Sequence, residues 1–225
     1  MSAPPREPAL LARRLREATR AAHHALDHHP LLAALLTPAL TRAAYGDALA
    51  ALHGVFAAAE SALAPGADVT FPHAARLPAL EADLAALGRT PLPFRGAIAV
   101  PDTVAARIGL LYVQEGSALG GQVLARQIQQ VLGADCPLTF FVGAGEAAAK
   151  ERWASFWRYA EAHCPGEDIP QAEAAACALF HGFQTHLDDC QRTKVGAGGT
   201  AKNRATTPIG YACPRIFRGK VTSAS

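Results

Sequence analysis

The sequence predicts an all-α protein, a single-domain helical bundle of roughly six to eight helices. Three observations predict it. Apolar residues recur at spacings of three and four along most of the first 190 residues, the period of a helix face. Ala and Leu dominate those stretches, and both lose little on entering a helix. Strand-type runs are nearly absent, and aromatics make up only 7% of the chain. Half of the 225 residues are hydrophobic, enough for one core and one domain.

The elements follow in order. Residues 8–29 form the first expected helix. Leu11, Leu15, Thr19 (or Ala18), Ala22 and Leu26 share a face, and Pro30 ends it. A second is expected near 40–63, capped by Thr37 or Thr41 and stopped at Pro65-Gly66, with loop over 66–76. A third runs from about Pro78 to Leu87 and is stopped by Gly88. The Pro-rich "RTPLPFRGAIAVPD" leads to a long helix over 103–132, with Asp102 or Thr103 as cap. "PLTFFVGAG" is short and apolar with β-type residues, yet no partner strand is in sight. Residues 145–163 form a helix with Trp153, Phe156 and Trp157 on its apolar side, and "IPQAEAAACALFHGFQTHLDDC" is the last. After Cys190 the pattern gives way to Gly, Thr, Pro and basic residues. The expected organisation is an extension over 1–9, a helical domain over 10–190 and a flexible basic tail over 191–225.

Charge and cysteines narrow the classes. The net charge of +2 divides unevenly: the tail carries seven basic side chains and no acid, leaving the first 190 residues at −5. A mildly acidic body argues against nucleic acid, which needs a basic face. There is no apolar run near eighteen residues and no secretory h-region, so no membrane span is expected. Cys136, Cys164, Cys177, Cys190 and Cys213 are odd in number and scattered. Inert thiols in a reducing cytoplasm are the expectation, not a disulfide framework or a zinc site.

Two stretches carry chemistry. In "YVQEGSALGGQVL", Gly116, Gly120 and Gly121 fall inside one helix, at about 1 kcal/mol each relative to alanine. Gly116 and Gly120, four apart, share a face. Close approach of the backbone to a flat ligand would offset that loss, and so would tight packing against another helix. In "LREATRAAHHALDHH", Arg16, Thr19, Arg20, His23 and Asp27 lie on one helix face. A neutral imidazole can ligate a metal, and Asp27 one turn on can accept from its second nitrogen. Arg16 and Arg20 repel each other and would suit an anion. The other readings are a solvated charged face, or His24 and His28 as a weak surface metal pair.

Together the two stretches resemble the heme oxygenase family. "LREATRAAHHALD" is similar to its proximal helix and "EGSALGGQVL" to its distal helix. "FFVGAGEAAAKERWASFW" and "AAACALFHGF" resemble its later helices, so the likeness covers about residues 10–190. The resemblance implies a bundle holding heme b, both substrate and cofactor, between the proximal N-terminal helix and a bent, Gly-rich distal helix. It makes His23 the iron ligand, with Thr19 and Arg16 one and two turns before it; Arg20 and Asp27 on the same helix face, and Tyr112, complete the expected cofactor-binding residues. Gly116, Ser117, Gly120 and Gly121 would lie over the reacting face. Animal members carry an aspartate where this chain has Ser117; members that work beside phytochromes read Glu-Gly-Ser, as here. The implied reaction opens heme to biliverdin, CO and ferrous iron. It uses O₂ and electrons from an external donor such as ferredoxin or flavodoxin with its reductase. A phytochrome would be a downstream acceptor of the product. "GAGEAA" lacks the spacing and βα context of a dinucleotide site.

Other functions fit parts of the pattern. A non-catalytic heme carrier or sensor would use the same His23 and glycines. A heme-free bundle enzyme, thiaminase-like or quinone-dependent, would draw on Tyr112, Glu115 or Cys177. A ligand-free interaction module would need none of them.

Overall fold

The structure is a computed structural model that describes residues 10–64 and 71–197. Expectations for residues 1–9 and 198–225, the Pro65-Gly66 stop and Cys213 lie outside the described residues. Eight α-helices follow one another: α1 Leu10–Asp27, α2 Pro30–Ala33, α3 Arg42–Leu63, α4 Leu77–Ala86, α5 Val104–Leu132, α6 Thr139–Val142, α7 Glu146–His163 and α8 Ile169–Ala197. Short 3₁₀ turns span Ala34–Leu36 and Gly166–Asp168. No strand occurs among the described residues.

Local chemistry explains the boundaries. Thr41 caps α3, its Oγ1 accepting from Ala44 N at 3.1 Å, and Thr103 caps α5 in the same way through Ala106 N. α4 ends where Gly88 takes φ 62°, a left-handed conformation that favours glycine at a helix end. Three differences from the sequence expectation have physical reasons. Pro30 does not simply stop α1; it opens α2, because proline at a first helical position gives up a donor that would be unbonded anyway. "PLTFFVGAG" is not extended. Its Thr139–Val142 stretch winds one turn because the buried Asp83 carboxylate, delivered by α4, accepts from Thr139 N at 3.0 Å and Phe140 N at 2.8 Å. α8 continues past Cys190 to Ala197, beyond the point where apolar periodicity ends.

The helices are layered on α8. α5 and α1 both lie along it, α7 covers α5, and α3 packs on α4 and α8. α5 approaches α8 closely at Gly109, where an added Cβ would lie 2.2 Å from the Ala172 carbonyl oxygen. α3 runs through the core, burying Tyr45, Leu49, Val55, Ala59 and Leu63 completely. On α1, Leu11, Leu15, Thr19 and Leu26 are buried and Ala22 packs partly against the core, the face expected from their spacing. Replacing Gly109 by Ala should destabilise the protein by about 1–3 kcal/mol through overpacking, read as a lower urea midpoint.

Two buried histidines tie outer segments down. His29 Nδ1 accepts from Leu31 N at 3.3 Å and caps α2, while its Nε2 lies 3.4 Å from Asp188 of α8. His186 Nε2 donates to Ala51 O at 2.9 Å. Burial lowers the pKa of both imidazoles, although Asp188 acts upward on His29, and the Ala51 carbonyl and Asp189 act upward on His186. The folded state therefore resists a proton that the unfolded chain accepts. Above about pH 6.5 both states are neutral and nothing is lost; below it the folded state loses stability. Each histidine adds at most about 1.4 kcal/mol per pH unit. Urea midpoints followed from about pH 7.5 to about pH 5.5 should fall more steeply for the wild type than for His29→Asn or His186→Gln.

Candidate functional site

α1 and α5 are both held by α8 but hardly touch each other, which leaves a slot between them. A polar bridge joins them at one end: Thr19 Oγ1 donates to Leu15 O at 2.7 Å and stands 3.4 Å from the Tyr112 hydroxyl. Further along, Leu26 and Asp27 of α1 line one cavity with Val113, Ser117, Gly121 and Leu124 of α5. The two helices thus pass the slot in the same sense. One turn beyond Thr19 stands His23, and one turn beyond Tyr112 stands Gly116; the next turns bring Asp27 and Gly120. Asp27, Ser117 and Gly121 thus line one cavity together, whereas His23, Gly116 and Gly120 are not among its lining residues.

His23 is half-buried. Its Nδ1 lies 3.3 Å from Oδ2 of the buried Asp27, and its ring is 5.7 Å from that of Phe180 on α8. Arg16 places its guanidinium 5.9 Å from the Trp157 ring of α7. Arg20 is exposed on the same helix. Tyr112 packs against Trp153 and Trp157, each at 5.9 Å between ring centres. Burial raises the Tyr112 phenol above its usual range, with the Thr19 contact and Arg16 acting downward. α5 runs unbroken through all three glycines. Gly121 has a packing reason of its own, since an added Cβ would lie 3.1 Å from Phe141 O of α6.

The cavity is apolar. Phe56, Phe140, Phe141, Phe180 and Phe183 contribute to its walls, its volume is about 70 Å³, and it is partly open to solvent. Its one cation is Arg76, which the sequence did not single out. Arg76 Nη1 donates to Ser117 Oγ at 2.7 Å, and Nη2 to Phe140 O at 3.2 Å. The guanidinium carbon sits 4.3 Å from the Phe140 ring centre and 5.2 Å from that of Phe56. Burial pulls Arg76 down to about 10, with Glu115 and Glu60 acting upward, so it is charged at neutral pH. Ser117 passes its own proton to Gln114 O at 2.7 Å. An arginine just before "LPALEADL" carries no local signal; only folding brings it to position 117.

The groups a heme-free enzyme would need are engaged otherwise. Glu115 is gripped by Arg152 through both oxygens, at 2.6 and 2.7 Å. Cys177 faces the Ala18 carbonyl, and burial raises its thiol pKa. Arg152 of α7 is thereby taken up by Glu115 and by Pro72 O at 2.7 Å, while Arg158 bonds Ser155.

The class the fold and site define is an all-α bundle with an apolar cavity between a helix bearing a carboxylate-backed histidine and a glycine-bearing helix. The heme oxygenase family profile matches residues 9–184, and the chain belongs to that family. A heme oxygenase of Xanthomonas campestris pv. campestris (strain 8004) is 48% identical over 56 residues, 24% of this chain and 32% of that protein. The match thus spans about a third of that relative's length. The heme oxygenase of Neisseria meningitidis superposes with a TM-score of 0.65 at 20% identity, over 81% of this chain and 92% of that one. Heme oxygenase-1 of the cyanobacterium Synechocystis sp. PCC6803, solved in complex with heme, gives 0.60 at 19% identity, over 84% and 96%. These likenesses establish the bundle as the fold of heme oxygenases.

The Asp83 carboxylate, by holding α6, also holds Phe140 and Phe141 in the cavity wall. Asp83→Asn replaces one acceptor by a donor and should cost about 1–3 kcal/mol. Thermal unfolding of the purified variant measures it.

Proposed function

We propose that this protein is a heme oxygenase that opens heme to biliverdin, CO and ferrous iron, using O₂ and electrons from a separate donor. The observation that carries this reading is the pairing of His23 with Asp27 on α1, Asp27 lining one cavity with Ser117 and Gly121 of the glycine-bearing α5. The donor set fits a porphyrin. One imidazole is too few ligands for a bare ion, but it suits a metal whose other ligands come with the ring. Aromatic, apolar walls that include Gly121 suit the face of a flat apolar ligand.

Heme supplies the iron that activates O₂ and the carbon skeleton that is oxidised. The chain supplies the environment. His23 offers Nε2 as ligand when neutral, and Asp27 accepts at Nδ1, holding tautomer and ring orientation. Gly116 and Gly120 keep side chains out of the facing wall, so no acid–base group is placed there. On the distal side Arg76 supplies a fixed positive charge and Ser117 orients it. That pair takes the place of the aspartate found in animal members. The phenylalanine wall excludes bulk water. Arg16, beside Trp157, is the cation we assign to a propionate, on the family resemblance. Ferredoxin or flavodoxin with its reductase fits as donor, and a phytochrome as product acceptor, on the family resemblance and the basic residues 192–220.

Hemin added to the purified protein should give a Soret band, and reductant under O₂ should give biliverdin absorbance. A Soret band without turnover would mark a carrier or sensor instead. His23→Ala should abolish the His-ligated spectrum, and Asp27→Ala should weaken heme affinity or activity by roughly 10–100-fold. A spectrum unchanged by His23→Ala would sink this assignment.

A further inference from the structure

Arg76 reaches the cavity from an unusual starting point. It occupies the position just before α4 with φ −115° and ψ −12°, and its side chain caps nothing in its own helix. The unpaired donors at that helix start are satisfied from a different element. Glu60 of α3 accepts from both Arg76 N at 2.7 Å and Leu77 N at 3.0 Å through a single oxygen, Oε1. The main chain of Arg76 is therefore tied to α3 while its guanidinium is tied to α5 and α6. The preceding residues are held from α7: Phe71 stacks on Tyr159 at 5.4 Å, and Arg152 donates to Pro72 O. Among the described residues no carboxylate lies within ion-pair distance of the Arg76 guanidinium. Its own bonds are to a hydroxyl and a carbonyl, both neutral. Such bonds do not fix an arginine as firmly as a bidentate carboxylate would. The aim of the side chain therefore depends on where its Cα is held.

We propose that Glu60 is a positioning residue of the heme site: by gripping the main-chain N–H groups of Arg76 and Leu77, it fixes the distance of the Arg76 guanidinium from Ser117 and from the ligand's open face. The proposal rests on the heme oxygenase reading and adds to it a residue outside the cavity. Glu60 touches no ligand and works only through Arg76. What matters is the place of its oxygen more than its charge. A shorter acid withdraws the acceptor from the two N–H groups, whereas a glutamine of equal length leaves an acceptor there.

The test uses the full chain loaded with hemin, reduced with dithionite and exposed to CO. The infrared C–O stretch reads the electric field on the open face without any turnover. Arg76→Met removes the cation and sets the full shift. Glu60→Asp should shift the stretch in the same direction by at least half as much, and Glu60→Gln by less than half. Thr103→Ala, which removes a cap at the far end of α5, should leave the stretch at the wild-type value, separating position from general loosening. A wild-type stretch in Glu60→Asp overturns the proposal. So does a larger shift in Glu60→Gln than in Glu60→Asp, or a stretch indifferent to Arg76→Met. Failure of the wild type to bind hemin counts against the heme oxygenase reading itself and is seen before any variant is compared.

Discussion

The site depends on α8 acting as a common support. α1 and α5 are each packed along it and hardly touch one another, so a slot is left that their own side chains do not fill. The approach of α5 to α8 at Gly109 fixes the first wall, because the Ala172 carbonyl occupies the space of a side chain there. The second wall is fastened by the buried face of α1 and by the two-point pairing of Arg14 with Glu173, at 2.6 and 3.0 Å. This surface pair contributes registration more than stability, since exposed ion pairs are worth little. A cavity in such a bundle follows from packing two helices against a third, each through a different face.

Buried acids do the fine placement. Asp83 winds α6 and thereby sets two of the phenylalanines. Glu115 fixes Arg152, which fixes Pro72. Glu60 takes the first donors of α4. Asp27 stands beside His23. Asp27, Asp83 and Glu115 are buried and Glu60 is half-buried, and each answers main-chain N–H groups, a guanidinium or an imidazole. A buried charge so paired is a weak source of net stability, but removing its partner is strongly unfavourable. Such groups therefore determine which arrangement of the segments is adopted. Three of the four act across elements far apart in the chain, so they hold the loops that local propensity leaves undetermined.

The α5 wall of the cavity illustrates the division of labour. Glycine leaves room but provides no polarity, and Ser117 alone is a weak dipole whose proton is already given to Gln114 O. The fixed charge there comes from Arg76, some forty residues earlier, which keeps its charge at neutral pH although burial pulls its pKa down to about 10. Cation and hydroxyl form one unit, and the aromatic faces of Phe56 and Phe140 flank the guanidinium.

By itself the sequence determined the helices and most of their ends, because the spacing of Leu and Ala and the threonine caps are local properties. It also displayed the likeness carried by "LREATRAAHHALD" and "EGSALGGQVL", since each motif lies within one helix and keeps its spacing there. Only the tertiary structure decided the rest. It turned "TFFV" into a helix against its β-type composition because Asp83, 56 residues away, supplied the missing acceptor. It brought Tyr112 beside Thr19, joined Asp27 to Ser117 and Gly121 around one cavity, and gave Gly121 a packing partner in Phe141. It also placed Arg76 beside Ser117. A contact between residues distant in the chain leaves no periodicity to read, and it exists only once α8 and the buried carboxylates have brought its two ends together.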